Sequence, residues 1–316
     1  MDYWEDLGGI PAASGPSVVT IGNFDGVHRG HREVLSTVVK EAKKRDARSV
    51  VITFDPHPAL VHRPEAAPNQ IMGLSDKKKF IEEVGVDALL VLPYTLEFSK
   101  LTAEEFVTRY IAEPLKACAV VVGHDVRFGR DNEGDFRRMQ ELGEQLGFDV
   151  IGIDDFGEDR RCSSTWVREA LADGEVEAAA EILGRPHRMV GEVIHGAARG
   201  RELGFPTANL SPESTGFIPA DGVYAGWLID EANRKWPAAI SVGSNPTFEG
   251  VPRQVEAHVI DRKDSGVEDF NLYGQRVVVE FVQRLRPMVA YRGIEALVEQ
   301  ITEDVERTRE VLLSGQ

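Results

Sequence analysis

The first half of the chain alternates short apolar runs with helical patterns, and this alternation restricts the fold more than any other feature. Apolar runs predict five strands, at 18–22, 49–54, 88–92, 119–123 and 149–153. Helical patterns lie between them, including an apolar stripe over 34–42, a capping-box sequence at 102–105 and a stretch at 133–146. Strands that alternate with helices predict a parallel sheet covered on both faces, a Rossmann-like α/β domain.

The pattern changes near residue 185. A last helix is predicted at 176–183, and apolar runs then follow one another with only turns between them, at 189–194, 222–229, 238–242, 255–260 and 276–282. Closely spaced strands without helices between them predict an antiparallel β-barrel. One apolar stripe, formed by Ile294, Leu297, Val298, Ile301 and Val305, predicts a C-terminal helix. We therefore predict two domains, residues 1–185 and 186–316.

Charge and composition exclude several classes of protein. The 316 residues include 36 Lys and Arg against 52 Asp and Glu, a net charge of −16 without a long basic run, which argues against a nucleic-acid partner. No apolar run approaches the length of a membrane span, and the acidic N-terminus does not resemble a signal peptide. Cys118 and Cys162 form no metal motif and suggest reduced thiols. These features predict a cytoplasmic protein without a membrane partner, and we expect a monomer or a transient homo-oligomer.

The sequence GNFDGVHRGH at 22–31 follows the first predicted strand directly and leads into a helix. Glycines allow a ligand to approach the backbone, and the first N–H groups of a helix favour an anion. His28 and His31 are three residues apart, so they would share one helix face. This pattern predicts a phosphate site that lacks the lysine of the GxxxxGK[ST] loop. The alternative is two ordinary polar residues at a helix start; metal binding is less favoured because no third ligand is nearby.

Two further segments also follow predicted strands. In TFDPHP, at 53–58, the prolines would hold His57 in place, although a rigid turn is the simpler interpretation. In the segment 123–129, Arg127 could contact a phosphate and Phe128 could stack on a ring system, but a solvated loop has a similar sequence.

A third segment opens a helix with hydroxyl groups and an arginine. Ser164 and Thr165 are good helix caps, and Arg168 follows one turn later. Hydroxyl groups with an arginine also suit the oxygens of a triphosphate, so the residues alone leave capping and phosphate binding equally open.

Taken in order, GNFDGVHRGH, TFDPHP, the FG…GD stretch and SST…R resemble the adenylyltransferase module of bacterial bifunctional riboflavin kinase/FAD synthetases. The resemblance implies that the phosphate of FMN attacks the α-phosphorus of ATP to form FAD and pyrophosphate. It implies that His28 and His31 stabilise charge on the phosphates. The residues implied to bind ATP are Gly22, Asn23, Phe24, Asp25, Gly26, Gly30, Ser164, Thr165 and Arg168, and those implied to bind the flavin are His57, Asp125, Arg127 and Phe128.

Two positions depart from that family's pattern. Asp125 stands where the family usually has Asn, and Trp166 where it commonly has Arg. The first change places a carboxylate near phosphates, which costs electrostatic energy unless the carboxylate binds Mg²⁺ or points away, and the second removes one contact to an anion. One alternative is therefore a riboflavin kinase whose adenylyltransferase module is weakened or inactive. Another is a flavin-binding protein without catalysis.

The stretch GRELGFPTANL at 200–210 is the most informative part of the second half. Pro206 fixes the backbone just before Thr207 and Asn209, whose side chains face the same way in an extended chain. A hydroxyl and an amide oxygen are ligands that Mg²⁺ takes alongside phosphate oxygens, although a polar turn is the simpler interpretation. Within 255–260, strand alternation places Glu256 and His258 on one face, where a carboxylate could act as a base or simply face solvent.

The segments HG…RGRELGFPTANL, DGVYAG, VGSNPTF, VEAHVID, LYG and LRP resemble, in order, the riboflavin kinase domain of the same family. The resemblance implies that Glu256 activates a ribityl hydroxyl of riboflavin, that Thr207 and Asn209 hold Mg–ATP, and that glycines between 196 and 204 form a loop over the nucleotide. The further residues implied to bind ATP or flavin are Gly196, Gly200, Gly204, Pro206, Asn245 and Arg286. The implied ligands of the whole chain are riboflavin, FMN, FAD, ATP as substrate, and Mg²⁺.

Overall fold

The computed structural model describes residues 1–12, 14–157, 160–196, 204–243, 253–261, 271–289 and 294–313. It divides into two compact units, the first formed by Met1–Pro68 and Leu74–Ser163, the second by Asn69–Gly73 and Ser164–Gln316. Residues 164–183 thus belong to the second unit by their contacts. The domain limits 1–185 and 186–316 stay a prediction.

A six-stranded parallel sheet forms the centre of the first unit, as the alternating pattern predicts. Its strands are β1 (Asp2–Trp4), β2 (Ser17–Ile21), β3 (Arg48–Asp55), β4 (Ala88–Pro93), β5 (Ala117–Gly123) and β6 (Asp149–Ile153), in the order β1-β4-β3-β2-β5-β6. Five of them match predicted strands. The sequence pattern did not predict β1, because three residues are too few to show a periodicity.

The described part of the first unit also has six α-helices, of which the first and the last pack directly on this sheet. They are α1 (Arg29–Lys44), α2 (Pro58–His62), α3 (Leu74–Glu82), α4 (Ala103–Val107), α5 (Glu113–Leu115) and α6 (Phe136–Leu146). The capping box at α4 is confirmed: the Thr102 hydroxyl accepts a hydrogen bond from the Glu105 N–H over 3.1 Å, and the Glu105 carboxylate accepts one from the Thr102 N–H over 3.0 Å. Helix α6 begins three residues later than predicted, because Asp135 caps it.

The strand order reverses between β2 and β5, and this reversal determines where a ligand can bind. The chain runs from β2 outward through β3 to β4, then returns to place β5 on the other side of β2. Because the loops after β2 and β5 leave in opposite directions, they open a crevice at the carboxyl ends of the strands. Gly22 and Gly123 stand at these two strand ends.

A closed antiparallel barrel forms the second unit. Its strands are β7 (His187–Ile194), β8 (Ala208–Leu210), β9 (Gly222–Ile229), β10 (Lys235–Gly243), β11 (Gln254–Val259) and β12 (Arg276–Arg286), in the order β10-β11-β8-β7-β12-β9. The short strand β8 was not predicted. The barrel interior is filled by apolar side chains, among which Tyr224 and Phe281 are the largest.

The described part of the second unit also has three α-helices: α7 (Ser164–Asp173), α8 (Val176–Leu183) and α9 (Ile294–Leu313). The predicted stripe of α9 is wrong at Ile294, which is 62% exposed. The buried face of α9 lies further along the helix, at Asp304, Val305, Thr308 and Leu312. Ile294, Val305 and Leu312 lie on one face of the helix, so the predicted face is correct, but its first residue lies before the buried part of the helix.

Candidate active sites

The two histidines of the GNFDGVHRGH segment stand at the start of α1. The Nδ1 atom of His28 accepts a hydrogen bond from the His31 N–H over 3.3 Å, so His28 caps the helix. The two rings stack with centroids 3.6 Å apart, and therefore share one face, as their spacing predicts. Gly30 permits this arrangement, because a Cβ at that position would lie 3.3 Å from the His28 ring.

The turn that joins β2 to α1 has an unusual backbone. Phe24, Gly26 and Val27 have φ angles of 47°, 87° and 37°, in the left-handed region. Such angles in residues other than glycine are uncommon and concentrate at functional sites. Phe24 is buried, and its ring packs on Gly22, where a Cβ would lie 3.1 Å away. The glycine of this turn thus makes room for the protein's own aromatic ring.

A cavity of about 390 Å³ opens at the crevice between β2 and β5. Gly22 and Asn23 line it from the end of β2, and residues 125–129 line it from the loop after β5. Its apolar side is formed by five aromatic rings: Phe54, Tyr94, Phe98, Phe106 and Phe128. Neighbouring rings in this set have centroids 5.4–6.5 Å apart. A cavity of this size and lining suits a planar heteroaromatic ligand.

Sequence reasoning missed most of these rings. Tyr94, Phe98 and Phe106 belong to segments with no recognisable motif, and only the fold brings them together. Burial raises the pKa of the Tyr94 phenol, and its oxygen lies 2.9 Å from His62 Nε2. Tyr94 therefore remains a neutral hydrogen-bonding group at the cavity wall.

The residues predicted to bind the flavin have different surroundings. Phe128 is 6% exposed and packs among the aromatic rings, whereas Arg127 is exposed and donates to the Val126 carbonyl over 2.8 Å. His57 caps α2 by accepting from the Ala59 N–H over 3.1 Å. The neighbouring residue Pro58, rather than His57, lines the cavity.

Asp125, the residue that departs from the family's pattern, forms an ion pair. Its Oδ2 atom lies 2.6 Å from Arg161 Nη2, and the Nε atom of Arg161 lies 3.0 Å from Asp155. The carboxylate at the cavity rim is thus compensated by a neighbouring guanidinium group. The same contact occupies a cation that would otherwise be available to a phosphate.

One buried cation near this site was not singled out by the sequence. Lys77, on α3, is 6% exposed, and Asp25, in the turn after β2, is 3% exposed. Burial lowers the pKa of Lys77, while the negative charges of Asp25 and Asp55 act in the opposite direction. Lys77 is the first of three consecutive lysines, and such a run usually indicates a solvated helix face.

The hydroxyl residues at the start of α7 belong to the second compact unit. Ser164 is half-buried and Thr165 is exposed. Arg168 donates from Nε to the Asn69 carbonyl over 2.8 Å, so part of its donor capacity serves the protein itself. Their role toward a triphosphate stays a prediction.

In the barrel, the predicted kinase residues form one hydrogen-bonded group. Strand β8 pairs with β11 so that Asn209 lies opposite Glu256. The Thr207 hydroxyl donates to Glu256 Oε2 over 3.2 Å, and Asn209 Nδ2 donates to Thr207 Oγ1 over 3.1 Å. The structure thus brings the hydroxyl of Thr207 and the amide of Asn209 together with a carboxylate that lies 49 residues after Thr207 in the sequence.

The surrounding backbone positions this group. His258 Nδ1 lies 2.9 Å from the Pro206 carbonyl, so the imidazole holds the segment just before Thr207. Gly196 packs directly on Asn209, since a Cβ there would lie 2.5 Å from the amide carbon. Gly204 has a φ of 87°, which favours glycine. Gly200 and Asn245 lie outside the described residues.

Arg286 forms a paired contact with the C-terminal helix. Its Nε and Nη2 atoms donate to the two carboxylate oxygens of Asp304 over 2.8 and 2.6 Å. Both side chains are largely buried, at 13% and 2% exposure. Arg286 therefore fixes α9 to β12, and its predicted contact with a nucleotide or flavin stays a prediction.

The fold and these groups define an α/β protein with a second, barrel domain, and each domain carries a cluster of polar side chains at which chemistry could take place. Family models agree with this division: residues 10–166 match the FAD synthetase family, and residues 183–312 match the riboflavin kinase family.

Whole-chain relatives carry both names. The bifunctional riboflavin kinase/FMN adenylyltransferase of Escherichia coli K12 is 36% identical over 93% of this chain and 92% of its own length. That of Listeria monocytogenes is 32% identical over 98% of this chain and 94% of its own. The chain therefore belongs to the bifunctional riboflavin kinase/FMN adenylyltransferase family, which confirms the resemblance seen in its motifs.

A solved structure shows the same fold over almost the whole chain. The crystal structure titled macrolide-efflux protein from Streptococcus pneumoniae superposes with a TM-score of 0.85 at 32% identity, covering 97% of this chain and 98% of that one. The name macrolide-efflux protein applies to the Streptococcus pneumoniae protein. Among the described residues of this chain, no helix combines the length and the apolar character that a membrane crossing requires.

Proposed function

We propose that this protein phosphorylates riboflavin to FMN with one ATP and then adenylylates FMN to FAD with a second ATP. The observation that carries the proposal is the presence of both family domains in one chain, each with its polar group assembled. The two reactions use different residues. A substitution at one site should therefore abolish one reaction and leave the other intact.

In the adenylyl transfer, an oxygen of the FMN phosphate attacks the α-phosphorus of ATP, and the bond to the β-phosphate breaks to release pyrophosphate. Negative charge increases on the phosphate oxygens during this step. Because His28 Nδ1 accepts a hydrogen bond from His31, the neutral ring carries its proton on Nε2, which is a donor. We place His28 and His31 at these oxygens, together with the first N–H groups of α1.

The aromatic cavity is the proposed flavin site of this reaction. Its rings offer apolar faces to the flavin, and Asn23 at the end of β2 lies where the cavity meets the turn before α1. This arrangement would direct the FMN phosphate toward the histidines. Ser164, Thr165 and Arg168 are proposed to bind the β- and γ-phosphates that leave.

In the kinase reaction, Glu256 is proposed to accept the proton of the ribityl hydroxyl as its oxygen attacks the γ-phosphorus of ATP. Glu256 already accepts a hydrogen bond from Thr207, which orients its carboxylate. Thr207 and Asn209 supply hard oxygen atoms, the ligand type that Mg²⁺ prefers. Bound there, Mg²⁺ would neutralise charge on the phosphates of ATP.

We further propose that the enzyme works in the cytoplasm as a monomer or transient homo-oligomer, without a nucleic-acid or membrane partner. The net charge of −16 and the absence of a long basic run in the sequence support the exclusion of nucleic acid.

The test is a product assay on the full chain. Purified protein is incubated with riboflavin, ATP and Mg²⁺, and separately with FMN, ATP and Mg²⁺, and the flavins are separated by chromatography. We expect FMN and FAD from the first mixture and FAD from the second. Formation of FMN alone would leave a riboflavin kinase only, and formation of neither product would overturn the proposal.

A further inference from the structure

Tyr110 packs behind the aromatic cavity without lining it, and the proposed mechanism assigns it no role. Its ring is stacked on that of Phe106, with centroids 5.9 Å apart and planes inclined by 22°. It also meets the Phe98 ring edge to face, with centroids 5.2 Å apart. Because Phe98 and Phe106 both line the cavity, Tyr110 forms a second layer behind this part of the wall.

The backbone at Tyr110 is also unusual. Residues Thr108–Ala112 form a π-helical turn between α4 and α5, in which the Glu113 N–H donates to the Thr108 carbonyl five residues earlier. Such turns are rare and are frequently found at functional sites. Pro114 accounts for the wider turn, because it offers no N–H to the Tyr110 carbonyl four residues before it and its ring crowds that carbonyl.

The wider turn aligns Tyr110 with Phe106. In a regular α-helix, a step of four residues overshoots one full turn by about 40°, so side chains four residues apart are not directly in line. A π-helical turn contains more residues, which reduces this overshoot. The small angle between the planes of the two rings agrees with such an alignment. The π-helical turn thus places one ring behind the other.

Phe106 is the central ring of the aromatic set. It is 3% exposed, and its centroid lies 6.5, 6.0 and 6.2 Å from those of Phe54, Phe98 and Phe128. Removal of a side chain from a packed interior leaves a space into which a neighbouring ring can turn. Since a flavin binds through contacts with correctly oriented aromatic rings, a turned Phe106 would weaken its binding.

We propose that Tyr110 is a positioning residue for FMN adenylylation, which holds Phe98 and Phe106 in the orientation that forms the flavin-binding wall of the cavity. Tyr110 acts through these two rings and does not touch the flavin. This inference rests on the proposed FMN adenylylation and on the aromatic cavity as its flavin site.

The first experiment compares three variants of the full chain. Tyr110→Ala removes the supporting ring, Tyr110→Phe keeps it, and Ile111→Val trims a fully buried side chain of the same turn that does not line the cavity. Wild-type FAD formation from FMN is measured first, because its failure would overturn the proposed function and this inference with it. KM and kcat are then measured for both reactions, and thermal denaturation gives the melting temperature of each variant.

We expect Tyr110→Ala to raise KM for FMN in adenylylation by about tenfold, because two ring contacts behind the cavity wall are lost. The value of kcat should change by less than about twofold, since the two histidines are not displaced. Tyr110→Phe should behave like wild type. Ile111→Val should lower the melting temperature without a change in KM, and the riboflavin kinase rate should stay unchanged in all three variants. A wild-type KM in Tyr110→Ala would overturn the inference alone, as would an equal rise of KM in Ile111→Val.

A second experiment tests whether Tyr110 acts through Phe106. Phe106→Leu is compared with the double variant Phe106→Leu/Tyr110→Ala, because residues in contact give effects that do not add. In the Phe106→Leu background, Tyr110→Ala should raise KM for FMN by less than about threefold, and a further rise of about tenfold would overturn the role through this ring. Should Tyr110→Ala not fold, as judged by circular dichroism, Tyr110→Leu takes its place in both experiments with the same expected outcomes.

Discussion

The imidazole of His28 is a structural cap and a proposed catalytic group at once: its Nδ1 accepts the His31 N–H over 3.3 Å, and the two rings stack 3.6 Å apart. Capping determines which ring nitrogen of His28 carries the proton, because an Nδ1 that accepts leaves the hydrogen on Nε2. The capping of α1 thus determines that the Nε2 atom of His28 is the hydrogen-bond donor.

The two roles of His28 are separable by substitution. Asn is a good helix cap, whereas Ala is not, so His28→Asn should keep the stability of wild type and His28→Ala should lose about 1 kcal/mol. Both should lower FAD formation from FMN by about 10²–10³-fold, since both remove the donor. Thermal denaturation and steady-state rates measure the two effects. Full adenylylation by His28→Asn would contradict the catalytic role.

Glu256→Gln should stop the first reaction alone. The Gln side chain can still accept the Thr207 hydroxyl but cannot take a proton, so FMN formation should fall by about 10²–10⁴-fold. FAD formation from supplied FMN should be unchanged. Chromatography of both product mixtures provides the measurement, and an equal loss of both reactions would argue against two separate centres.

Asp125→Asn should improve FMN adenylylation. The substitution removes a carboxylate from the cavity rim and releases Arg161 from its ion pair. KM for FMN should fall by about fivefold, the effect of one charge interaction of roughly 1 kcal/mol. Because both side chains are about half exposed, stability should change by less than about 1 kcal/mol. Glu144→Gln, an exposed change on α6, is the matched control, and an increase in KM would refute the expectation.

Asp304→Asn should destabilise the second unit. It leaves the buried guanidinium of Arg286 without its countercharge, which costs about 3–5 kcal/mol for pairs of this kind. The exposed Glu310→Gln on the same helix is the control. Urea denaturation gives the free energies of unfolding, and equal values for the two variants would show that the ion pair contributes little.

Asp230 should make the barrel sensitive to acid. Burial alone would raise the pKa of this carboxyl, but hydrogen bonds from the Trp236 indole and from the Arg234 backbone and guanidinium outweigh it and hold the pKa below the ordinary 3.8. A depressed pKa in the folded state means that the stabilisation is present above pH 3.8 and is lost as the pH falls through the folded-state value.

Asp230→Asn tests this dependence. We expect a loss of about 1–3 kcal/mol at pH 7, where the charged carboxylate accepts its hydrogen bonds. The difference between variant and wild type should shrink below pH 3.8. Urea denaturation at pH 7, 4 and 3 provides the comparison, and a difference that does not vary with pH would contradict the role of the charge.

Local patterns predicted most of the fold because its strands are strongly buried. Strand β2, for example, buries four of its five residues, so its apolar run is continuous and easy to recognise. Strands β1 and β8 have three residues each, and long-range pairing rather than local sequence makes them strands. The error at Ile294 has a different origin, since this residue is the first of α9 and the buried part of the helix begins only at Asp304.

The candidate sites divide in the same way. The spacing of His28 and His31 predicted their shared face, since both lie in one helical turn. The aromatic cavity could not be predicted, because Phe54, Tyr94 and Phe128 come from loops and strand ends that only the sheet order brings together. The burial of Lys77 could not be predicted either, because a run of three lysines is typical of a solvent-exposed helix face.

The second unit includes Asn69–Gly73, a segment that the chain supplies long before the rest. The Ile71 carbonyl accepts a hydrogen bond from the Phe217 N–H over 3.3 Å, and the Asn69 carbonyl accepts one from Arg168 over 2.8 Å. No single cleavage of the polypeptide can therefore yield this unit whole. A fragment that begins at Ser164 lacks the five residues Asn69–Gly73. A chimaera that carries this fragment therefore also needs the segment Asn69–Gly73 from the same protein.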